Sequence, residues 1–199
     1  MKTDALAQSK IETSQMAFWE KFKYLPEDIQ KGLNNQSLKV VDFVAYSSKN
    51  LAGATIKELM EASDNQLEGI TNVNNRKMEA LQYFLVKGVR LTSAVIAGED
   101  AITDTTIATA AFTTPSANVL NGELDILVSG KTALPRISCA VFGKSDAATE
   151  GLKGYYELDC PFMIAPLSDI VPTLRLNSNA TTTREVVRFE LFGCKIIPA

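Results

Sequence analysis

The residues able to do chemistry are defined first by one that is missing. The 199-residue chain contains no histidine. That removes the usual general base, the serine and cysteine triads that depend on it, and nearly all imidazole-ligated zinc, copper and iron sites. The remaining acid–base candidates are Asp125, Glu157, Asp159 and Glu190, all on or near strand-like segments. Two of them would need to stand about 5–9.5 Å apart to hydrolyse a glycoside. Acids alternating with apolar residues on a strand more commonly form the solvated face of a half-buried sheet. Glu99-Asp100 with Asp104 lacks the glycine and downstream glutamate of a calcium loop.

Gly130-Lys131-Thr132 and Gly143-Lys144-Ser145 end like phosphate-binding loops. The glycine each would need five residues earlier is replaced by Asp125 and Ser138, so both read as hairpin turns. Cys139, Cys160 and Cys194 are widely spaced and odd in number, which predicts three buried, reduced thiols rather than a disulfide framework or zinc site. Tyr155-Tyr156 must place one ring on each face of a strand, and the outer ring could begin a sugar-binding surface. No catalytic, cofactor-binding or metal-ligating set is assigned, and the expectation is a non-enzyme.

The elements that position these residues are mostly strands. Val187, Phe189 and Leu191 alternate with Arg188 and Glu190, the period-two signature of a strand with one buried face. Strands are predicted at 38–46, 83–96, 122–142 as a hairpin, 155–158, 162–165, 170–176 and 185–197. Apolar phase switches at Gly88, and again at Gly193 where Cys194 and Ile196 take over, predict a β-bulge in each long strand. Pro135 places its strand at an edge or a bulge. Thr55 and Glu58 have capping-box spacing and predict a short helix over about 55–63. Residues 64–77 read as surface loop or the edge of a helix, and 97–118 as a long loop with a short strand at 105–112.

The N-terminal residues differ. Ile11, Phe18, Phe22 and Leu25 share a helical face, widened by Met16 and Trp19, and Pro26 starts a second short helix that Gly32 and Asn34-Asn35 end. The expected organisation is a helical arm over 1–37 and an antiparallel β-sandwich over 38–199. Phe18, Trp19 and Phe22 are the candidate interface residues, as aromatic anchors on a terminal helix. The competing reading lays that helix on its own sheet.

Hydrophobic residues make up 46% of the chain and charged residues 22%, with a net charge of −3. That composition suits a globular domain and argues against a general nucleic-acid binder. No apolar run approaches the roughly 20 residues of a membrane span. Met1-Lys2-Thr3-Asp4 begins no secretory signal, so synthesis in the cytosol is expected.

The order of features resembles the jelly-roll capsid and virion proteins of bacteriophages and viruses. It runs from a helical arm through a glycine-kinked strand and the hairpin Gly122 to Phe142 to Gly154-Tyr155-Tyr156-Glu157-Leu158. The proline-punctuated strands Pro161 to Pro166 and Ile170 to Asn177 follow, and then a final strand. The resemblance implies a self-assembling virion subunit in a jelly-roll-like mainly β fold, contacting copies of itself and other virion proteins and located in the virion. It implies no cofactor, small-molecule substrate or specific nucleic-acid site. Two other readings stand beside it: a carbohydrate-binding, lectin-like module, and a histidine-free hydrolase using two carboxylates.

Overall fold

A computed structural model describes residues 23, 25–98, 101–143, 153–177 and 184–199. The eight strands among them are β1 (Leu38–Asn50), β2 (Ile56–Glu58), β3 (Phe84–Val95), β4 (Glu123–Val128), β5 (Lys131–Ser138), β6 (Tyr155–Ile164), β7 (Ile170–Arg175) and β8 (Glu185–Pro198). Short helices are α1 (Glu27–Asn34), α2 (Asp104–Ala108) and α3 (Ala117–Leu120). The strands form two four-stranded antiparallel sheets, ordered β1-β8-β3-β6 and β2-β7-β4-β5. The protein is mainly β, with the two sheets stacked as a sandwich.

The alternation read from sequence explains the core. Phe84, Val86, Val89 and Leu91 of β3 and Val187, Phe189 and Leu191 of β8 meet Leu124 and Ile126 of β4 and Ile170 and Leu174 of β7 between the sheets. The phase of β3 does switch beside Gly88, and its register against both neighbours shifts between Val86 and Gly88. β8 corrects the second expectation. Its pairing with β1 runs without a break from Leu38↔Pro198 to Asn50↔Val186, so there is no bulge at Gly193 along that ladder. Ile196 stays on the outer face, where Leu25 and Ile29 cover it together with Leu85. At the other end of β8, Val186 is covered by Ile70 and Ile107. Apolar residues on both faces imitated a phase switch because helices bury the outside of this sheet at both ends. Gly193 serves instead a close approach: a Cβ there would stand 1.8 Å from the Leu85 carbonyl oxygen.

Residues 55–63 are not a helix. β2 pairs with β7 from Ile56↔Arg175 to Glu58↔Thr173, the Leu176 N–H donates to the Thr55 carbonyl (2.7 Å), and the Leu59 N–H donates to the Pro172 carbonyl (2.8 Å). Leu59 and Met60 are both buried, so the sheet and core outweigh the local capping signal. Glu58 reaches Arg76 at 3.0 Å rather than a helix N-terminus. A capping box does form at Thr103 and Thr106, which start α2 inside the stretch expected to hold a strand at 105–112. The hairpin return ends at Ser138, and residues Cys139–Gly143 turn as a 3-10 helix. Pro135 and Pro161 lie in β5 and β6, the edge strands of their sheets, where a missing N–H costs least. β6 joins two expected strands into one, and four residues, Leu158 to Pro161, bow out of its pairing with β3.

The two glycines predict different costs. Gly193→Ala forces a Cβ onto backbone and should destabilise by about 3 kcal/mol or more, whereas at Gly88 the obstacle is the tip of the Tyr155 ring, which can swing, and about 1 kcal/mol is expected. Urea unfolding of the two variants should give that ranking, and equal midpoints would contradict it.

Candidate functional site

The residues singled out from sequence do not converge. Phe18, Trp19 and Phe22 lie outside the described residues, as do Glu99 and Asp100. The part of the arm that is described, Leu25 through α1, packs on this chain's own first sheet. Asp125 sits between the core residues Leu124 and Ile126, so it points away from the core on the second sheet, where Arg175 binds it at 3.1 Å. Glu190 sits between Phe189 and Leu191 and points outward from the first sheet, held by Arg90 at 3.0 Å. Stacked sheets lie about 10 Å apart, so Asp125 and Glu190, on opposite outer faces, are too distant to act as a glycosidase pair. Glu157 lies across β3 from Glu190 on the edge strand β6, and Asp159 lies in the bowed stretch of that strand. Among the described residues no group of three acids or thiols stands close enough to hold a metal ion.

Tyr156 points inward to Phe142 (6.2 Å between ring centres), and Tyr155 points outward to Phe192 (5.5 Å). The second pair meets edge to face at 87°, which leaves no flat platform for a sugar. Burial, and then the charge of Glu157, raises the Tyr155 phenol above its ordinary pKa. All three cysteines are free. Burial, with a smaller push from Glu123, takes the Cys139 thiol up to about 12. Burial also raises Cys194, with Asp42 adding to the rise and Lys87 opposing it. Cys160 corrects the expectation of three buried thiols: it is exposed, because β6 bows outward there.

A concave polar site does form where sequence showed only surface loop. Residues 61–82 run beside the edge of β1 and help to form a cleft of about 180 Å³ lined in part by Phe43, Gln66, Asn74, Lys77, Gln82 and Lys195. Buried Val73 and Met78 line it as well. The segment is tied down at several points. The Asn72 carboxamide acts as a surrogate peptide group on the edge of β1, accepting from the Tyr46 N–H (2.8 Å) and donating to the Val44 carbonyl (2.7 Å). Arg188 donates to the Gly69 carbonyl (2.5 Å) and to Ser48 Oγ (3.0 Å), with its guanidinium over the rings of Tyr46 and Phe112. Lys49 joins Asp64 and Glu61. Arg76 and Lys77 both reach Asp169.

This anchoring holds an otherwise unfavourable backbone. Seven described non-glycine residues have positive φ, and four of them lie in this segment or bond to it: Asn75 (48°), Arg76 (52°), Leu81 (66°) and Leu167 (59°). Strained backbone of this kind persists only where its surroundings over-determine it. The sequence signal for the site was the clustering of Asn72, Asn74 and Asn75, residues that bond to backbone and tolerate left-handed conformations.

No protein-family model matches the chain, and no curated protein matches its sequence. Among the described residues no helix is long and apolar enough to cross a membrane.

Two predictions follow from the anchoring. Asn72→Ala removes both surrogate bonds to β1 and should cost about 1–2 kcal/mol in chemical denaturation, with faster amide exchange over residues 61–82. Unchanged exchange there would contradict the clamp. The second concerns pH. Burial alone would raise the Glu61 carboxyl, but the Lys57 and Lys49 ammonium groups outweigh it and hold the carboxyl below its ordinary value. A lowered folded-state pKa means that Glu61 stabilises the fold above the ordinary carboxylate range and that this contribution fades as pH falls through the lowered value. Protection of the amides in the 61–82 segment, relative to their intrinsic exchange rates, should therefore fall below about pH 4 more in the wild type than in Glu61→Gln.

Proposed function

We propose that this protein is a jelly-roll structural subunit of a virion that assembles with copies of itself and has no catalytic role. One observation carries the reading. β1 pairs with β8, β2 with β7, β3 with β6 and β4 with β5. The chain is thus one long hairpin, folded over so that β8 also meets β3 and β7 also meets β4. This pairing supports the jelly-roll reading, since a jelly roll is an eight-stranded double sheet built of two Greek keys. Capsid proteins, lectins and cupins use that architecture, and a fold alone does not select among them.

The residues favour assembly. Metal-dependent chemistry on such a scaffold usually relies on imidazole ligands, and this chain has no histidine. The outward carboxylates Asp125 and Glu190 are each held by an arginine. Phe18, Trp19 and Phe22 precede in sequence the buried Leu25, which packs on the outer face of the first sheet. In this reading the expected helical arm carries those rings to a neighbouring subunit.

Light scattering across protein concentration tests the proposal. The full chain should form discrete oligomers, and Trp19→Ala combined with Phe22→Ala should lower their mass while changing the melting temperature little. Intact oligomers combined with a large loss of thermal stability would place these rings in the core of their own subunit and overturn the arm's role.

A further inference from the structure

The cleft beneath residues 61–82 has a chemistry that assembly does not use. Its volume of about 180 Å³ is below the range of sites for drug-sized ligands, and this restricts an occupant to about one ring-sized unit. Two ammonium groups line it, from Lys77 and Lys195, against one carboxylate, Glu79. Lys195 holds its ammonium 4.0 Å from the centre of the Phe43 ring, and among the described residues no carboxylate meets it. The ring fixes the position of the charge while leaving its N–H donors open. Lys77 is shared with Asp169 at 3.6 Å, and Glu79 accepts from Gln82 Nε2 at 2.7 Å.

Carboxamides complete the lining. Asn72 spends both ends on β1, and Asn74 Oδ1 accepts from the Gln66 N–H at 2.6 Å. Among the described residues no partner engages the Asn74 amide N–H₂, the Gln66 carboxamide or Gln82 Oε1. Groups that donate and accept side by side match hydroxyls, which do the same. Phosphate is better served by arginine forks or clustered backbone N–H groups, and the cleft lining contains no arginine. Phe43 offers no stacking platform, because Lys195 covers a face and Phe84 meets it edge-on at 5.2 Å. The charge therefore has to supply what ring stacking supplies in most sugar sites.

We propose that this cleft binds an acidic sugar unit, a single ring carrying one carboxylate, with Lys195 meeting the carboxylate and Gln66, Asn74 and Gln82 reading the hydroxyls. The site is independent of the arm, so it stands or falls apart from the assembly reading.

Saturation-transfer NMR on the full chain tests it, because the method works for weak ligands on monomers and assemblies alike. The probes are glucuronate, glucose and inorganic phosphate as competitor. Glucuronate should bind with a Kd of about 1–10 mM and at least about tenfold more tightly than glucose, the worth of one charge-assisted contact. Phosphate at equal concentration should not displace it. Lys195→Gln should abolish the preference for glucuronate. Gln66→Ala, an exposed change that keeps the backbone bond to Asn74, should weaken glucuronate about threefold or more. Absence of transfer to glucuronate, equal binding of glucose, displacement by phosphate, or unchanged affinity in Gln66→Ala or in folded Lys195→Gln would overturn the proposal.

Discussion

The structure depends on β8 being enclosed on every side. It pairs along its length with β1 and β3, and its odd-numbered residues Val187, Phe189 and Leu191 fill the space between the sheets. Its even-numbered residues are covered as well. Ile196 lies under Leu25 and Ile29, and Val186 lies against Ile70 and Ile107. Between those covers stand the half-buried Arg188 and the buried Glu190, each held by partners. Glu190 is 9% exposed and is held by Arg90, and Arg188 bonds to Ser48 and Gly69 and lies over two rings. Burying a charge without such a partner would cost several kcal/mol.

The rest of the molecule hangs from this strand. Arg188 fixes Gly69, Asn72 fixes the same segment to β1, and Lys195 at the other end of β8 reaches over Phe43 into the cleft. The strained residues Asn75, Arg76 and Leu81 follow within that segment, so the cleft takes its shape from a rigid sheet although a loop forms its wall. This is the arrangement in which a loop can present polar groups without paying to order them when a ligand arrives.

Much of the fold was legible in the residues. Richness in β-forming residues located β1, period-two alternation located β3, β4, β7 and β8, Gly88 marked a true register shift, and Pro135 marked an edge. The misreadings share a cause, which is that a local pattern met a distant partner. Thr55 and Glu58 have the spacing of a helix start, but β7 lies beside them. Cys194 and Ile196 look like a change of phase until α1 is laid over the outer face. Cys160 looks like a core thiol until the bow in β6 carries it outward. The cleft was the least legible part, because its groups come from β1, β8 and a polar loop that are separated by up to about 150 residues in sequence and carry no motif.

The proposal of a scaffold that functions by packing against copies of itself draws on the doubled-hairpin pairing, the absence of histidine and the arginine partners of Asp125 and Glu190. Negative-stain electron microscopy of the full-length protein over a range of ionic strengths tests that claim most directly. The account predicts particles of one size and one symmetry. Dispersed monomers at every concentration and salt condition would contradict it.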